Sequence, residues 1–409
     1  MTIVSDLLAK YRNVPAPQIG AQAQTVEADP AYPSDWIDIK TPEAGTIQLL
    51  VSDMLLRTYA FLCITSSGAY TVDWGDGTID VVTSNTVAEH TYELGAGTPC
   101  SEGYTTFKVV ISGAITTFKV NHHSLATQTQ IHGILAAVFN VTGLTTLANA
   151  FYKSSAPAVR CYLLRYFKNL QTLASCSRCD YMFTNCYSLI SVDLTGLVAV
   201  GVIDGMFNSC PALISVDFSP LAAATSAASL MAYCSKLKTV DISMMVNVTS
   251  IKNFCQGALS LESANISGLT KVTDAEGAFT GCVSLKEITA TDFGKDAAST
   301  TFLNAFYQCE QLAEIPLPLA KASIFTAKGE SGKLNKLDTL TLSGSSAFGG
   351  ASPQMDLRYC DLSAEELDAI YTMLPEVAAS QVINVTGCTG QAASTKTIAT
   401  TKGWVVDPA

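Results

Sequence analysis

The sequence is short of charge. Asp, Glu, Lys and Arg make up 14% of its 409 residues, where about 25% is usual. Lys and Arg number 24 against 35 Asp and Glu, a net charge of -11, and no run of cations is longer than a pair. A polyanion-binding surface needs clustered cations, so nucleic acid is not expected as a partner. Long hydrophobic runs are missing as well. None approaches the roughly 20 apolar residues that cross a bilayer as a helix, so no membrane insertion is expected. There are four histidines, and none has a carboxylate or Cys at metal-ligand spacing. The opening residues, MTIVSDLLAKYR, do not read as a secretion signal, because Asp6 and Lys10 interrupt the only apolar stretch. What the chain does have is 48% hydrophobic residues, enough to bury a large core and to exclude a disordered chain.

Cysteine is plentiful, at 13 residues, and its spacing explains why. MFTNCYSLISVDL from Met182, MFNSCPALISVDF from Met206 and LMAYCSKLKTVDI from Leu230 align in a register of 24 residues. Cys186, Cys210 and Cys234 mark one slot, Ala258 fills it once, and Cys282 and Cys309 resume it. Phe183, Phe207, Met231, Cys255, Phe279 or Phe306 stands three residues before the slot, and a Leu three after it. Apolar columns at such a period are what a solenoid requires, since no coil can bury its own face until its neighbours stack on it. The Leu-x-x-Val-Asp-Leu piece should form a parallel ladder, and the Phe-x-x-Cys piece a short helical turn or 3₁₀ segment. The cysteine ladder of Cys186, Cys210, Cys234, Cys282 and Cys309 then faces inward and is reduced, because Ala258 shows that the slot takes a small hydrophobe. Coils about 4.8 Å apart keep disulfide pairing open as the alternative.

The pattern Phe-x-x-Cys-x-x-Leu-x-x-Val/Ile, from residues 140 to 345, resembles the BspA-like class of leucine-rich repeats. The resemblance implies a solenoid of the kind found on bacterial surface adhesins and in bacteriophage structural proteins. Residues 114–345 are read as the solenoid and residues 346–409 as its C-terminal cap. The cap opens with a capping box, Ser363-Ala364-Glu365-Glu366, and a helix to Leu374. A strand from Val382, a short helix and Gly403-Trp404-Val405-Val406 follow.

Residues 45–113 are punctuated differently. Alternating stretches such as AFLCI, YTVDW and FKVVIS between turn residues argue for a β-sandwich. YTVDWGDGT from Tyr70 and EHTY from Glu89 resemble the PKD type of immunoglobulin-like domain. In such a domain Gly75 and Gly77 supply unusual backbone angles and Asp76 caps N–H groups. A calcium set of Asp73, Asp76 and Asp80 is the alternative. Residues 1–44, with Pro15, Pro17, Pro30, Pro33 and Pro42, read as an extended attachment arm whose Trp36 and Ile37 pack on the β domain. The fold class is α+β, mostly β: arm, immunoglobulin-like sandwich, solenoid and cap.

Catalytic constellations fail inspection. Cys176-x-x-Cys179 does not open a helix after a strand, as a redox pair would. Gly329–Lys333 lacks the first Gly of a phosphate loop and the Ser or Thr after its Lys. Gly344–Ser346 lacks the second Gly of a nucleophile elbow, since Phe348 stands there. The chain is read as no enzyme, with no cofactor and no metal; a carbohydrate-active enzyme with an unrecognised carboxylate pair is the competing class. The expected function is a bacteriophage virion structural protein, a tail or head fibre or decoration subunit. Its arm docks to other virion proteins, and its solenoid presents Ser191, Asp193, Ser215, Asp217, Thr239, Asp241 and Thr289 to a host-surface glycan or protein. Homo-oligomers or many copies on one particle would multiply weak contacts. Asp193, Asp217 and Asp241 have a second reading as turn caps, and a bacterial cell surface is the alternative carrier.

Overall fold

The computed structural model describes residues 32–54, 57–121, 130–155, 158–298, 300–315, 322–329, 335–337, 339–340, 354–377 and 381–407. The chain divides into two compact units, Met1–Val200 with Met206–Pro220, and Gly201–Gly205 with Leu221–Ala409. Both contain coils of a β-solenoid, which runs over residues 130–406.

The first unit begins with antiparallel strands: β1 (Thr46–Ser52), β2 (Thr58–Thr65), β3 (Tyr70–Asp73), β4 (Ile79–Val82), β5 (Val87–Thr91), β6 (Thr105–Ser112) and β7 (Ile115–Asn121). β2 lies between β5 and β7. β6 lies between β1 and β3, with β4 on the outer edge of β3. Aromatic rings from the two sheets meet, Phe61 against Trp74 at 5.5 Å and Tyr92 against Phe107 at 3.9 Å. Offset stacking of this kind adds to the burial of the ring areas. Gly75 has φ 78°, and a Cβ there would stand 2.3 Å from the Lys108 carbonyl, so the turn after β3 admits only glycine.

That sheet does not end at residue 113. β8 (Ile134–Asn140) pairs antiparallel with the free edge of β1, β9 (Tyr166–Asn169) pairs parallel with β8, and β10 (Ser191–Asp193) parallel with β9. β7, expected to open the solenoid, is instead the antiparallel partner of β2. The expected boundary between 113 and 114 therefore falls among paired strands. The physical reason lies in β1, all seven residues of which are buried. A buried strand needs partners on both edges, and the first coil of the solenoid supplies the second. A chain of rings continues inside, Phe118 to Phe139 at 5.4 Å, Phe139 to Phe167 at 5.2 Å, Phe167 to Phe183 at 5.0 Å and Phe183 to Phe207 at 5.4 Å. Tyr32, Trp36 and Ile39, from the end of the expected arm, are buried with Leu50, Leu135 and Val138. The Arg165 guanidinium sits over the Trp36 ring at 4.8 Å and donates to Glu102 at 2.8 Å. Residues 1–31 lie outside the described residues.

In the second unit β11 (Thr239–Asp241), β12 (Ser263–Asn265) and β13 (Glu287–Thr289) pair in parallel, Thr239 opposite Ser263 and Ser263 opposite Glu287. The segment before each slot is not the expected helical or 3₁₀ turn. Ser229 and Tyr233 have positive φ, as do Asn253 and Gly257 in the following coil. Alternate N–H groups leave the coil: Ser229, Met231 and Tyr233 donate to the carbonyls of Lys252, Phe254 and Gln256 at 2.7, 2.8 and 2.7 Å. The N–H groups between them close local turns, Leu230 to Ala227 and Ala232 to Ser229. A helix would point every N–H along its own axis. The two left-handed residues break that alignment, so half the donors serve the neighbouring coil. The Tyr233 ring lies over Gly257, where a Cβ would meet it at 2.8 Å. Threonine hydroxyls add a column of their own, Thr249 Oγ1 to Thr225 O at 3.1 Å and Thr273 Oγ1 to Thr249 O at 3.3 Å.

The parallel ladder continues through the region read as a cap. β14 (Thr300–Phe302), β15 (Ala322–Thr326), β16 (Gln354–Asp356), β17 (Gln381–Asn384) and β18 (Trp404–Val406) form one five-stranded sheet in that order. Helix α1 (Ala364–Met373) is inserted in the coil between β16 and β17. The Ser363 hydroxyl accepts from the Glu366 N–H at 3.3 Å, and the Ser363 N–H donates to the Glu366 carboxylate at 2.7 Å, the reciprocal cap foreseen. At its other end the Lys402 ammonium donates to the carbonyls of Leu374 and Tyr371 at 2.8 and 3.2 Å, and to that of Thr372. A cation there satisfies carbonyls the helix leaves open. A short helix α2 (Thr397–Thr400) precedes β18.

Candidate binding face

The interior column decides what is left for the surface. Cys186, Cys210, Cys234, Cys282 and Cys309 are buried, and all thirteen cysteines are free thiols. Most of the column has a polar task that composition does not reveal. Cys210 Sγ donates to Phe183 O at 3.1 Å, Cys282 to Cys255 O at 3.1 Å and Cys309 to Phe279 O at 3.2 Å. Each thiol thus fills an apolar slot while giving a second donor to a carbonyl that already closes a local turn. Cys360 and Cys388 repeat the contact with Ala327 O and Leu357 O at 3.2 and 3.0 Å. Asn335 stands opposite Cys360 in a parallel bridge and donates its amide to the same Ala327 O at 2.8 Å. Burial pushes the Cys282 thiol up to about 12 and that of Cys388 up to about 11.

With the interior closed, the polar residues of the repeats face outward. Thr239, Asp241 and Thr289 are exposed on β11 and β13, with Ser263 and Asn265 of β12 between them. The central residues Val240, Ala264 and Ile288 are buried, as a strand with one wet face requires. Of the seven residues expected on the binding face, these three share one sheet. Ser191 and Asp193 are half-buried on β10 of the first unit. Ser215 and Asp217 are exposed, but their segment forms no strand and passes straight into a 3₁₀ turn, Ser219–Leu221.

The recurrent aspartates also act as turn caps. Asp193, Asp217 and Asp241 each accept, through Oδ1, the N–H two residues on, from Thr195, Ser219 and Ser243, all at 2.9 Å. Asn265 does the same for Ser267 at 3.1 Å. Burial works against the Asp241 charge. The Ser243 hydroxyl and N–H and the Asn265 amide outweigh it, however, and hold the carboxyl below its ordinary 3.8. Ion pairs run from coil to coil, Lys286 to Glu262 at 3.1 Å and Lys252 to Glu276 at 2.7 Å. The arrangement is a grid of hydroxyls, carboxylates and ammonium groups that offers many hydrogen bonds.

Among the described residues, no group of three or more His, Cys, Asp or Glu is placed to hold a metal ion. The three aspartates of the first unit's turn have separate partners. Asp73 accepts from Gly75 N, Asp76 from Thr78 N and His90 Nε2, and Asp80 from the Trp74 indole. Cys176 and Cys179 are buried and share a hydrogen bond between their thiol groups. That contact lowers the affinity of Cys176 for its proton and raises that of Cys179. His122, His123, residues 330–334 and residues 341–350 lie outside the described residues.

Residues 166–286 and 274–352 match the family model of the BspA type leucine rich repeat region, with six copies in all. The chain carries BspA-type leucine-rich repeats. No curated protein and no solved structure matches it. The BspA-type match starts at Tyr166, the first residue of β9, and stops before Cys360 and Cys388, whose coils keep the buried thiol.

Proposed function

We propose that the chain is a non-enzymatic surface-binding protein whose BspA-type repeats present polar rows to a glycan or protein on a cell surface. The supporting observation is the division of labour within each strand of the second unit. Val240, Ala264 and Ile288 go inward, and the residues beside them offer hydroxyls, carboxylates and an amide outward. Such a face suits many modest contacts multiplied by copy number. The carrier we propose is a bacteriophage virion, with residues 1–44 attaching to other virion proteins and a bacterial surface as the competing carrier. Thirteen cysteines with no disulfide among them favour assembly in a reducing compartment. The PKD-type reading of the antiparallel strands belongs to the same proposal, as the module between attachment and display.

Labelling of intact bacteria by the fluorescent full-length protein tests the binding role. T239R with T289R places two long cations on the exposed row, and labelling should fall at least tenfold while the far-ultraviolet circular dichroism stays unchanged. Absence of labelling by the wild-type protein on every strain of a broad panel would count against the role. Detection of the chain in purified particles, or in washed cell envelopes instead, decides between the two carriers.

A further inference from the structure

We propose that the first unit holds a saccharide-binding groove, built where three successive coils bring together Asn149, Tyr152, Asp180, Tyr181, Asn185 and Asn208. The proposal rests on the surface-binding reading and names a ligand class and a second place for it. The groove encloses about 560 Å³, within the roughly 300–1,000 Å³ of small-molecule sites.

The chemistry of its walls points to a neutral, hydroxyl-rich ligand. Asp180 is buried, and Arg178 binds both its oxygens, Nε to Oδ1 at 2.9 Å and Nη2 to Oδ2 at 3.0 Å, so the only carboxylate of the lining is compensated. Asn149, Asn185 and Asn208 contribute primary amides, each able to donate and accept at once, which is what a sugar hydroxyl needs. Two aromatic rings complete the lining. Tyr181 is 43% exposed. Tyr152 is backed by the Arg160 guanidinium, 4.6 Å from the ring centroid, which is itself fixed by bonds to Lys153 O and Val159 O at 2.7 and 3.0 Å. The electron-rich face of such a ring suits the C–H face of a pyranose. A phosphate or a uronate would find no cation in the lining to meet its charge.

Comparison of the coils shows that the fold does not demand these side chains. The two left-handed positions carry Gly205 and Ser209, Ser229 and Tyr233, Asn253 and Gly257, Gly277 and Gly281, or Asn304 and Gln308 in other coils, and Tyr181 and Asn185 here, at φ 54° and 62°. Glycine adopts that backbone without strain, whereas tyrosine and asparagine do so at a cost. Tyr233 carries the same strain with its ring over Gly257, whereas the Tyr181 ring lines the groove, where a ligand would meet it.

The test is an array of neutral hexasaccharides of glucose, mannose, galactose and N-acetylglucosamine, with hexauronates beside them, probed with the full chain. At least one neutral member should bind. Tyr181→Gly and Asn185→Gly, which install the residue other coils already carry, should weaken that binding tenfold or more with the thermal midpoint unchanged or raised. Binding to no neutral member, to uronates alone, or with equal strength in both variants overturns the proposal. If wild type labels cells and T239R with T289R does not, but Y181G and wild type bind the array equally, the groove is refuted and the role stands. If neither variant nor wild type labels cells, the role itself fails.

Discussion

The two units close the same hydrogen bonds around different contents. In the first, Phe183 N and Asn185 N donate to Met206 O and Asn208 O at 2.9 Å. In the second, Cys255 N and Gly257 N donate to Ala278 O and Thr280 O at 2.8 Å. The backbone ladder is thus indifferent to the side chains it carries. Yet the first unit fills its interior with stacked rings, Phe151 on Phe183 at 5.6 Å and Phe183 on Phe207 at 5.4 Å. The equivalent column of the second unit holds Met231 and Cys255 before rings return, with Phe279 on Phe306 at 5.9 Å. On the outside, the first unit keeps bulky residues at its left-handed positions, and part of the second is pared down to Gly277 and Gly281. A repeat whose fold resides in main-chain bonds and inward columns leaves its outer positions free to be chosen for binding.

The largest losses should follow from emptying the same column in both units. Phe183→Ala removes a fully buried ring that touches three others, and should cost about 3–5 kcal/mol. Met231→Ala, also fully buried, should cost about 2–4 kcal/mol. Denaturant titration of each variant measures both. Equal losses would mean that ring stacking adds nothing to the first unit beyond burial.

The inward columns were legible because their period is short and their chemistry uniform. The reciprocal cap of α1 was legible for a similar reason, since Ser363 and Glu366 are three residues apart and carry their own geometry. The pairing of β1 with β8 was not. A strand buried along its whole length shows no alternation, and Leu49 opposite Ala137 is a relation across 88 residues that no local pattern records. The coils of Cys360 and Cys388 were hidden because α1 lengthens the step between them beyond the 24-residue register. The left-handed turns were read as helical because Tyr181, Asn185, Ser209 and Tyr233 occupy them in place of the glycines that would have signalled positive φ. The groove was invisible for a related reason. Its lining draws on residues some 30 positions apart, and only the stacking of coils makes them neighbours.

An intermediate effect concerns the thiols, which both units bury. Burial pushes Cys63 in the first unit and Cys282 in the second up to about 12, from an ordinary 9.0. Above pH 9 the unfolded chain therefore releases protons that the folded chain keeps, so stability falls as pH rises, until the folded thiols ionise as well. Each such thiol should change the unfolding constant by about tenfold per pH unit in that window. Urea midpoints at pH 7 and pH 10 measure the slope. Cys63→Ala and Cys282→Ala should each flatten it by one thiol's share, whereas a disulfide-linked or exposed ladder would leave it unchanged.

The smallest expected effect separates the two tasks of Asp241, cap and surface group. Asp241→Ala removes the acceptor for Ser243 N and for the Asn265 amide. It should cost about 0.5–1 kcal/mol, toward the low end because the residue is exposed and water screens its charge. Asp241→Asn keeps an Oδ1 that can accept from Ser243 N, and should recover most of the loss. The sign of the pH dependence follows from the lowered carboxyl. Its contribution is complete above the ordinary 3.8 and disappears as pH falls through the lower folded value, so the gap between wild type and Asp241→Ala should close in acid. Thermal unfolding of the three proteins at pH 7 and pH 2.5 reads this directly. A gap that persists at low pH would mean that the side chain acts by packing alone, leaving its carboxylate as a pure surface group.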